Sequence, residues 1–116
     1  DRPELTAPQL AARLAAREQG QDDVVLLDVR ESGERSIVTI PGSVSVPLGT
    51  LLADPAGAAG AAGARPAGPV VVHCLSGGRS AQAQEALLRA GFRDVRNLTG
   101  GVRAWVEQVD PALPTY

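Results

Sequence analysis

The sequence predicts an α/β fold with a mainly parallel central sheet, about five strands, and helices on both faces. Three observations carry this. Val24–Leu27 and Val70–Val72 are continuous apolar runs too short for helices, the pattern of strands buried on both faces. Segments with apolar residues at helical spacing alternate with these runs. Both runs lead into a chemically distinctive residue, Asp28 and Cys74. Ligands in parallel sheets sit beyond the carboxyl ends of strands, so these two residues are expected near each other.

The elements follow in order. Thr6 caps a first helix, with Pro8 tolerated in its first turn. Leu10 and Leu14 share a face of that helix, and Gly20 stops it. The strand ending at Asp28 is followed by a loop with Arg30, Glu31, Glu34 and Arg35. Ile37 to Ile40 reads as a short strand or extended link. Pro41-Gly42 turns the chain, and Val44 and Val46 alternate as another short strand before Pro47. Leu48 to Ala53 has room for one or two helical turns. Residues 53–68 are almost all Ala, Gly and Pro, which predicts a mobile surface loop. Val70 to His73 is the next strand. The helix after it places Ala83, Ala86, Leu87 and Ala90 on one side, and Gly91 suits its C-terminal cap. Asp94 to Leu98 is a last strand, Val102 to Gln108 a last helix anchored by Trp105, and residues 110–116 an extended tail.

At 116 residues the chain is expected to form one domain, residues 1–116. Eleven basic and thirteen acidic residues give a net charge of -2, which argues against bulk affinity for nucleic acid or anionic membrane. No apolar run is long enough to span a bilayer. A single cysteine cannot form an internal disulfide, nothing resembles a Cys/His metal cluster, and no metal is expected. With no visible signal peptide, an unpaired thiol fits a reducing compartment, so the expected location is cytoplasmic. The chain begins Asp1-Arg2-Pro3 and contains no Met, so it is expected to be a piece of a larger polypeptide.

Cys74 sits between the strand and Leu75-Ser76-Gly77-Gly78-Arg79-Ser80. The glycines allow a tight turn, and the helix that follows turns its N-terminus toward the loop. Together these make an anion-binding cradle. A thiol at its mouth has its pKa lowered, and the thiolate is the reactive form. Four residues separate Cys74 from Arg79, one fewer than in the Cys-x5-Arg arrangement of phosphatases. Removing one residue shortens the loop by up to roughly 3.8 Å of chain. The smaller ring suits one anionic atom better than a tetrahedral oxyanion, and the outer sulfur of a persulfide is such an atom. The chemistry expected is sulfur transfer. The Cys74 thiolate takes a sulfane sulfur as a covalent persulfide, with no other cofactor, and hands it to an acceptor.

The chain resembles the rhodanese family of sulfurtransferases over essentially its whole length. The matching segments are Leu27-Asp28-Val29-Arg30-Glu31, Ile40-Pro41-Gly42-Ser43 through Pro47, the Cys74–Arg79 loop, and Leu98-Thr99-Gly100-Gly101 through Trp105. Residues 104–116 look like the C-terminal end of a narrower group, in which an adenylyltransferase is fused to a C-terminal rhodanese domain. The resemblance implies a rhodanese-like fold and a small sulfur donor, either thiosulfate or the persulfide of a cysteine desulfurase. It further implies an N-terminal adenylyltransferase partner and a ubiquitin-like sulfur-carrier protein as acceptor. Such carriers serve molybdopterin, thiolated-tRNA, thiamine or cysteine synthesis. Two positions depart from the family's pattern. Arg35 stands where an aromatic residue is common, and Thr39-Ile40-Pro41 where His-Ile is common. Fusion enzymes of this type often carry a second, resolving cysteine. Here that thiol has to come from another domain or molecule.

The expected site is therefore Cys74 as nucleophile and Leu75, Ser76, Gly77, Gly78, Arg79 and Ser80 as the substrate-binding loop. Asp28 and Arg30 are expected to be a structural pair supporting it. Arg79 has two open readings, binding an anionic donor or tying the loop to a carboxylate. His73 is expected to be structural, because strand alternation points it away from Cys74. Trp105 is expected in the core; Arg2, Arg13, Arg17, Arg93 and Arg103 are expected at the solvated surface. Two other functions use the same features: a phosphatase or arsenate reductase, and a docking module with an idle cysteine. The short loop and the lack of an evident flanking general acid count against the former. A docking module has no need of Cys74.

Overall fold

The structure is a computed structural model and describes residues 2–116. In chain order the elements are β1 (Glu4–Leu5), α1 (Ala7–Glu18), β2 (Val25–Asp28), α2 (Ser32–Ile37), β3 (Ser43–Ser45) and α3 (Leu48–Ala53). They continue with α4 (Pro55–Ala61), β4 (Pro69–His73), α5 (Gly78–Arg89), β5 (Asp94–Leu98) and α6 (Gly101–Gln108). The strands form one sheet in the order β1-β5-β4-β2-β3, and all four pairings are parallel. The predicted fold class stands, with a sheet that is wholly rather than mainly parallel.

Strand alternation divides the core between two faces. Leu26 and Val71 point to one side, where they pack with Leu10 of α1 and Val102 and Trp105 of α6. Leu27, Val70 and Val72 point to the other, against Leu51 of α3, Ala59 of α4 and Ala83 and Leu87 of α5. Trp105 is buried as expected. The α1 start is a reciprocal capping box: Thr6 accepts from the Gln9 N–H, and the Gln9 side chain accepts from the Thr6 N–H.

Several expectations are corrected. The segment 53–68 is not a mobile loop, because residues 55–61 form α4. The Asp54 side chain accepts from the Gly57 N–H, Pro55 occupies the first turn, and Ala59 and Ala64 are buried. Alanine is a strong helix former, so a composition read as a mobile surface loop is compatible with a helix once its small face can pack. The loop after β2 contains α2, whose start is held by the Glu31 N–H donating to the Glu34 carboxylate. Ile37 ends this helix, and Val38 to Ile40 is an unpaired extended link with Val38 and Ile40 buried. The fifth strand is instead β1, a two-residue element beside β5. Its length is below what an alternation pattern can reveal. The tail, expected to be extended, is anchored: Leu113 and Tyr116 pack back against the core that contains α6. Arg13 and Arg17 are not simply solvated. Arg13 pairs with Asp22, and Arg17 donates to the carbonyls of Val24 and Gly42.

The sheet register places the site. Asp28 is paired with His73, so the last residues of β2 and β4 lie side by side and Cys74 follows immediately. The start of α6 closes against the same loop: the N–H groups of Val102 and Arg103 donate to the carbonyls of Cys74 and Leu75 at 2.9 and 3.2 Å. Gly101 permits this approach. It has φ +60°, and a Cβ there would lie 2.4 Å from the Leu75 oxygen and 2.6 Å from the Cys74 oxygen. Gly101→Ala is therefore expected to lower stability by more than about 2 kcal/mol, combining left-handed strain with a backbone collision. It should also slow alkylation of Cys74. Urea unfolding and iodoacetamide kinetics measure both; a variant matching the parent in each contradicts the constraint.

Candidate active site

Cys74 follows the last residue of the central strand β4 and is 2% exposed. Its Sγ accepts a hydrogen bond from the Gly77 N–H at 3.1 Å and lies 3.3 Å from the Ser80 hydroxyl. Gly77, with φ +128°, turns the chain into α5 as its N-cap. Burial alone pushes the Cys74 thiol up. The Ser80 hydroxyl and the backbone N–H groups of Ser80, Gly77 and Ser76 outweigh it and hold the thiol below its ordinary value. The cradle expected from the sequence is present: a sulfur surrounded by peptide N–H groups at the N-terminus of a twelve-residue helix. Leu75 is half-buried, Ser76 and Gly78 are exposed, and Ser80 is buried beneath the sulfur.

Asp28 and Arg30 form the structural pair that was expected. Both side chains are fully buried, and Arg30 Nε and Nη2 donate to the two carboxylate oxygens at 3.0 and 2.8 Å. Arg30 also donates to the Val38 carbonyl, the Glu34 carbonyl and the Tyr116 hydroxyl. Burial opposes the charge on both partners. For Asp28 the bonds from Arg30 overcome it and lower the carboxyl; for Arg30 the bonds to Asp28 and Tyr116 raise the guanidinium. Arg35, one of the departures from the family pattern, reaches the same carboxylate at 2.9 Å and the Ser43 hydroxyl at 3.0 Å.

Of the two readings left open for Arg79, the structure contains the second. Arg79 grips the Glu34 carboxylate with two hydrogen bonds of 2.7 and 2.8 Å. These bonds are the main reason Glu34 falls to about 2. The Tyr116 hydroxyl donates to the same carboxylate at 2.8 Å while accepting from Arg30 at 2.9 Å. Loop, α2 and C-terminal residue are thus joined through one carboxylate.

His73 is fully buried, and its Nδ1 lies 3.2 Å from the Cys74 carbonyl. A carbonyl only accepts, so Nδ1 carries the proton. Nε2 then has no hydrogen-bond partner and sits 3.7 Å from Asp28. Burial lowers this histidine to about 4, despite the opposing pull of Asp28. It is therefore neutral at neutral pH, and the approach to Asp28 is not an ion pair. The structural role expected of His73 fits this placement.

Four residues at the site were not singled out from the sequence: Glu34, Arg35, Asn97 and Tyr116. Asn97 carried a usable signal. It lies near the carboxyl end of β5, as Asp28 and Cys74 lie at the ends of β2 and β4, and its amide reaches Ser80 and Gly77. Glu34 lies three residues after Glu31, the spacing of a helix start. Arg35 showed itself only as a departure from the family pattern, and Tyr116 carried no signal. Among the described residues no group of three His, Cys, Asp or Glu side chains is placed to hold a metal ion. No helix there is long and apolar enough to cross a membrane.

The rhodanese-like domain family matches residues 10–108, which contain every site residue named so far except Tyr116. The chain belongs to the rhodanese-like domain family. Among curated rhodanese-containing proteins it is similar to the Rhodanese-like/PpiC domain-containing protein 12, chloroplastic, of Arabidopsis thaliana. The two are 39% identical over 98 residues, covering 82% of this chain and 31% of that protein. It is also 38% identical over 93 residues to the probable adenylyltransferase/sulfurtransferase MoeZ of Mycobacterium tuberculosis, covering 80% of this chain and 23% of MoeZ. The chain thus spans only a third or less of the length of these relatives. Among solved rhodanese structures, the human single-domain sulfurtransferase TSTD1 superposes with a TM-score of 0.74 at 28% identity, covering 93% of this chain and 98% of that one.

The buried histidine makes acid stability predictable. Its folded pKa of about 4 lies below the ordinary 6.5, so the unfolded chain binds the proton more readily than the folded one. The stabilisation from a neutral His73 is full above pH 6.5 and is lost as pH falls toward 4, by roughly 3 kcal/mol. Glu34, lowered to about 2, moves stability in the same direction at lower pH, between its ordinary 4.5 and that value. Denaturant unfolding across pH 7.5 to 4 is expected to show the first decline; a flat profile contradicts the neutral buried histidine.

Proposed function

We propose that this chain is a rhodanese-type sulfurtransferase with Cys74 as its nucleophile. The observation that carries the reading is the Cys74 sulfur held under converging N–H groups at the start of α5. The thiolate attacks the sulfane sulfur of a donor, and a new S–S bond forms as the donor's own bond to that sulfur breaks. Thiosulfate leaves as sulfite, and a persulfide donor leaves as its thiolate. The chain then carries Cys74–S–S⁻, an anion that a loop of peptide N–H groups at a helix N-terminus is suited to stabilise. A thiophilic acceptor attacks that sulfur and regenerates the Cys74 thiolate.

The similarity to MoeZ supports a finer reading. For a ubiquitin-like sulfur-carrier protein as acceptor, the persulfide's outer sulfur attacks the adenylated C-terminal carboxyl and the adenylate leaves; a thiol from another domain or molecule then forms a disulfide with Cys74 and releases the thiocarboxylate, and a further thiol reduces that disulfide. In this reading an adenylyltransferase domain lies N-terminal to this chain in the full protein, and the reaction takes place in a reducing cytoplasm. A phosphatase or arsenate reductase is disfavoured by the four-residue loop. Asp28, at the neighbouring strand end, is tied up by Arg30 and Arg35 and so is not free to act as a general acid.

Incubation with thiosulfate is expected to add one sulfur atom to Cys74, and cyanide to remove it as thiocyanate. Cys74→Ser should abolish both while keeping the fold; transfer retained in that variant sinks the assignment. Intact mass and thiocyanate release measure this.

The Arg79–Glu34 pair yields a second expectation. A sulfonate-bearing donor has to compete with Glu34 for the guanidinium. Glu34→Gln is expected to lower the KM for thiosulfate about three- to tenfold, and Arg79→Ala to raise it by a similar factor. If steady-state kinetics show the same KM in both variants, Arg79 does not bind the donor.

A further inference from the structure

Ser80 is fully buried, and its hydroxyl lies near three acceptors: the Asn97 Oδ1 at 2.6 Å, the Gly77 carbonyl at 3.2 Å and the Cys74 sulfur at 3.3 Å. A hydroxyl has one proton to donate. The three contacts are therefore in competition, and the shortest is to Asn97. The orientation of the Asn97 amide follows from its partners. The Gly77 carbonyl only accepts, so the amide nitrogen faces it, at 3.1 Å, and the amide oxygen is left facing Ser80. Asn97 is itself buried, and its backbone is held in the sheet beside β1 and β4.

We infer that Asn97 is a positioning residue for Cys74, acting through Ser80 by competing with the thiolate for the hydroxyl proton. With a neutral thiol, the Ser80 proton rests on Asn97, and the serine oxygen is free to accept from the S–H group. When Cys74 ionises, the hydroxyl turns from Asn97 to the sulfur. The sulfur's negative charge makes it the better acceptor, but the lost Asn97 contact offsets part of the gain. Once the sulfur carries a persulfide, the charge has moved to the outer atom and the inner sulfur is a weak acceptor. The Ser80 proton then returns to Asn97. One amide thus favours the thiol and the persulfide over the free thiolate, and it holds the Gly77 turn in place in every state.

The inference rests on Cys74 being the nucleophile, but its readout is alkylation and needs no sulfur donor, so it is distinguishable from failed sulfur transfer. The iodoacetamide rate against pH gives the midpoint of Cys74 ionisation. Asn97→Ala is expected to lower that midpoint by about half a unit to one unit, because Ser80 then loses its shortest competing acceptor and only the longer Gly77 carbonyl contact still competes with the thiolate. Ser80→Ala is expected to raise it. In the Ser80→Ala background, Asn97→Ala should no longer lower it. Asn97→Val, a better strand former, should behave as Asn97→Ala does and serves if the alanine variant is unfolded by circular dichroism. Two results overturn the inference: no lowering in the chain that retains Ser80, or an equal lowering with and without Ser80.

Discussion

The buried pair of Asp28 and Arg30 is the interaction on which the rest of the site depends. Arg30 is the largest fully buried side chain among the described residues, and its guanidinium bonds to β2, α2, the link after it and Tyr116. Such a charge is tolerable in the interior only when it is paired and its remaining donors find acceptors. Here the acceptors come from β2, from α2, from the link after it and from Tyr116. The helix α2 is six residues long, and none of its residues is buried. A helix that short has marginal intrinsic stability. Its position comes instead from the Glu34 and Val38 carbonyls, which satisfy Arg30, and from the Glu34 carboxylate, which binds Arg79.

The same pair sets the dielectric character of the neighbouring strand end. His73 lies against Asp28 in the register of the sheet, yet it stays neutral because burial and the positive charges of Arg30 and Arg35 outweigh the attraction of one carboxylate. The consequence reaches Cys74. With His73 uncharged, the strand end adds no imidazolium beside Cys74. The sulfur is therefore governed by short-range peptide N–H groups and by Ser80. Hydrogen bonds to an anion act over one atom and need fixed geometry. This is why the packing of α6 on the Cys74 and Leu75 carbonyls matters for chemistry: it fixes the peptide units whose other ends form the cradle.

What was legible in the sequence follows from the range of the forces involved. Strands β2 and β4, the turn at Gly77 and the thiol above α5 rest on local pattern and local backbone geometry, and these were readable. The Asp28–Arg30 pair was readable because two residues of spacing and a strand end brought it together. Residues 55–61 misled because an Ala/Gly/Pro composition describes a surface loop and a small-residue helix equally well, and only the packing of Ala59 decides between them. Strand β1 was invisible because two residues carry no period. Tyr116 meets Glu34 from 82 residues away. Such a contact is created by the path of the tail over α6, and no spacing rule encodes it.

The charge balance at the loop mouth has a chemical consequence. Residues 75 to 78 carry no charge, and the one cation of the loop, Arg79, is engaged by a carboxylate that is in turn held by a phenol. A cradle of this kind stabilises negative charge through peptide dipoles and not through side-chain cations. Dipoles fall off faster with distance than charges do, so the stabilisation is concentrated within the loop and is small for a donor still outside it. The arrangement thus favours an anion formed on the cysteine over an anion captured from solution. Such a bias distinguishes the atom that is carried from the molecule that delivers it.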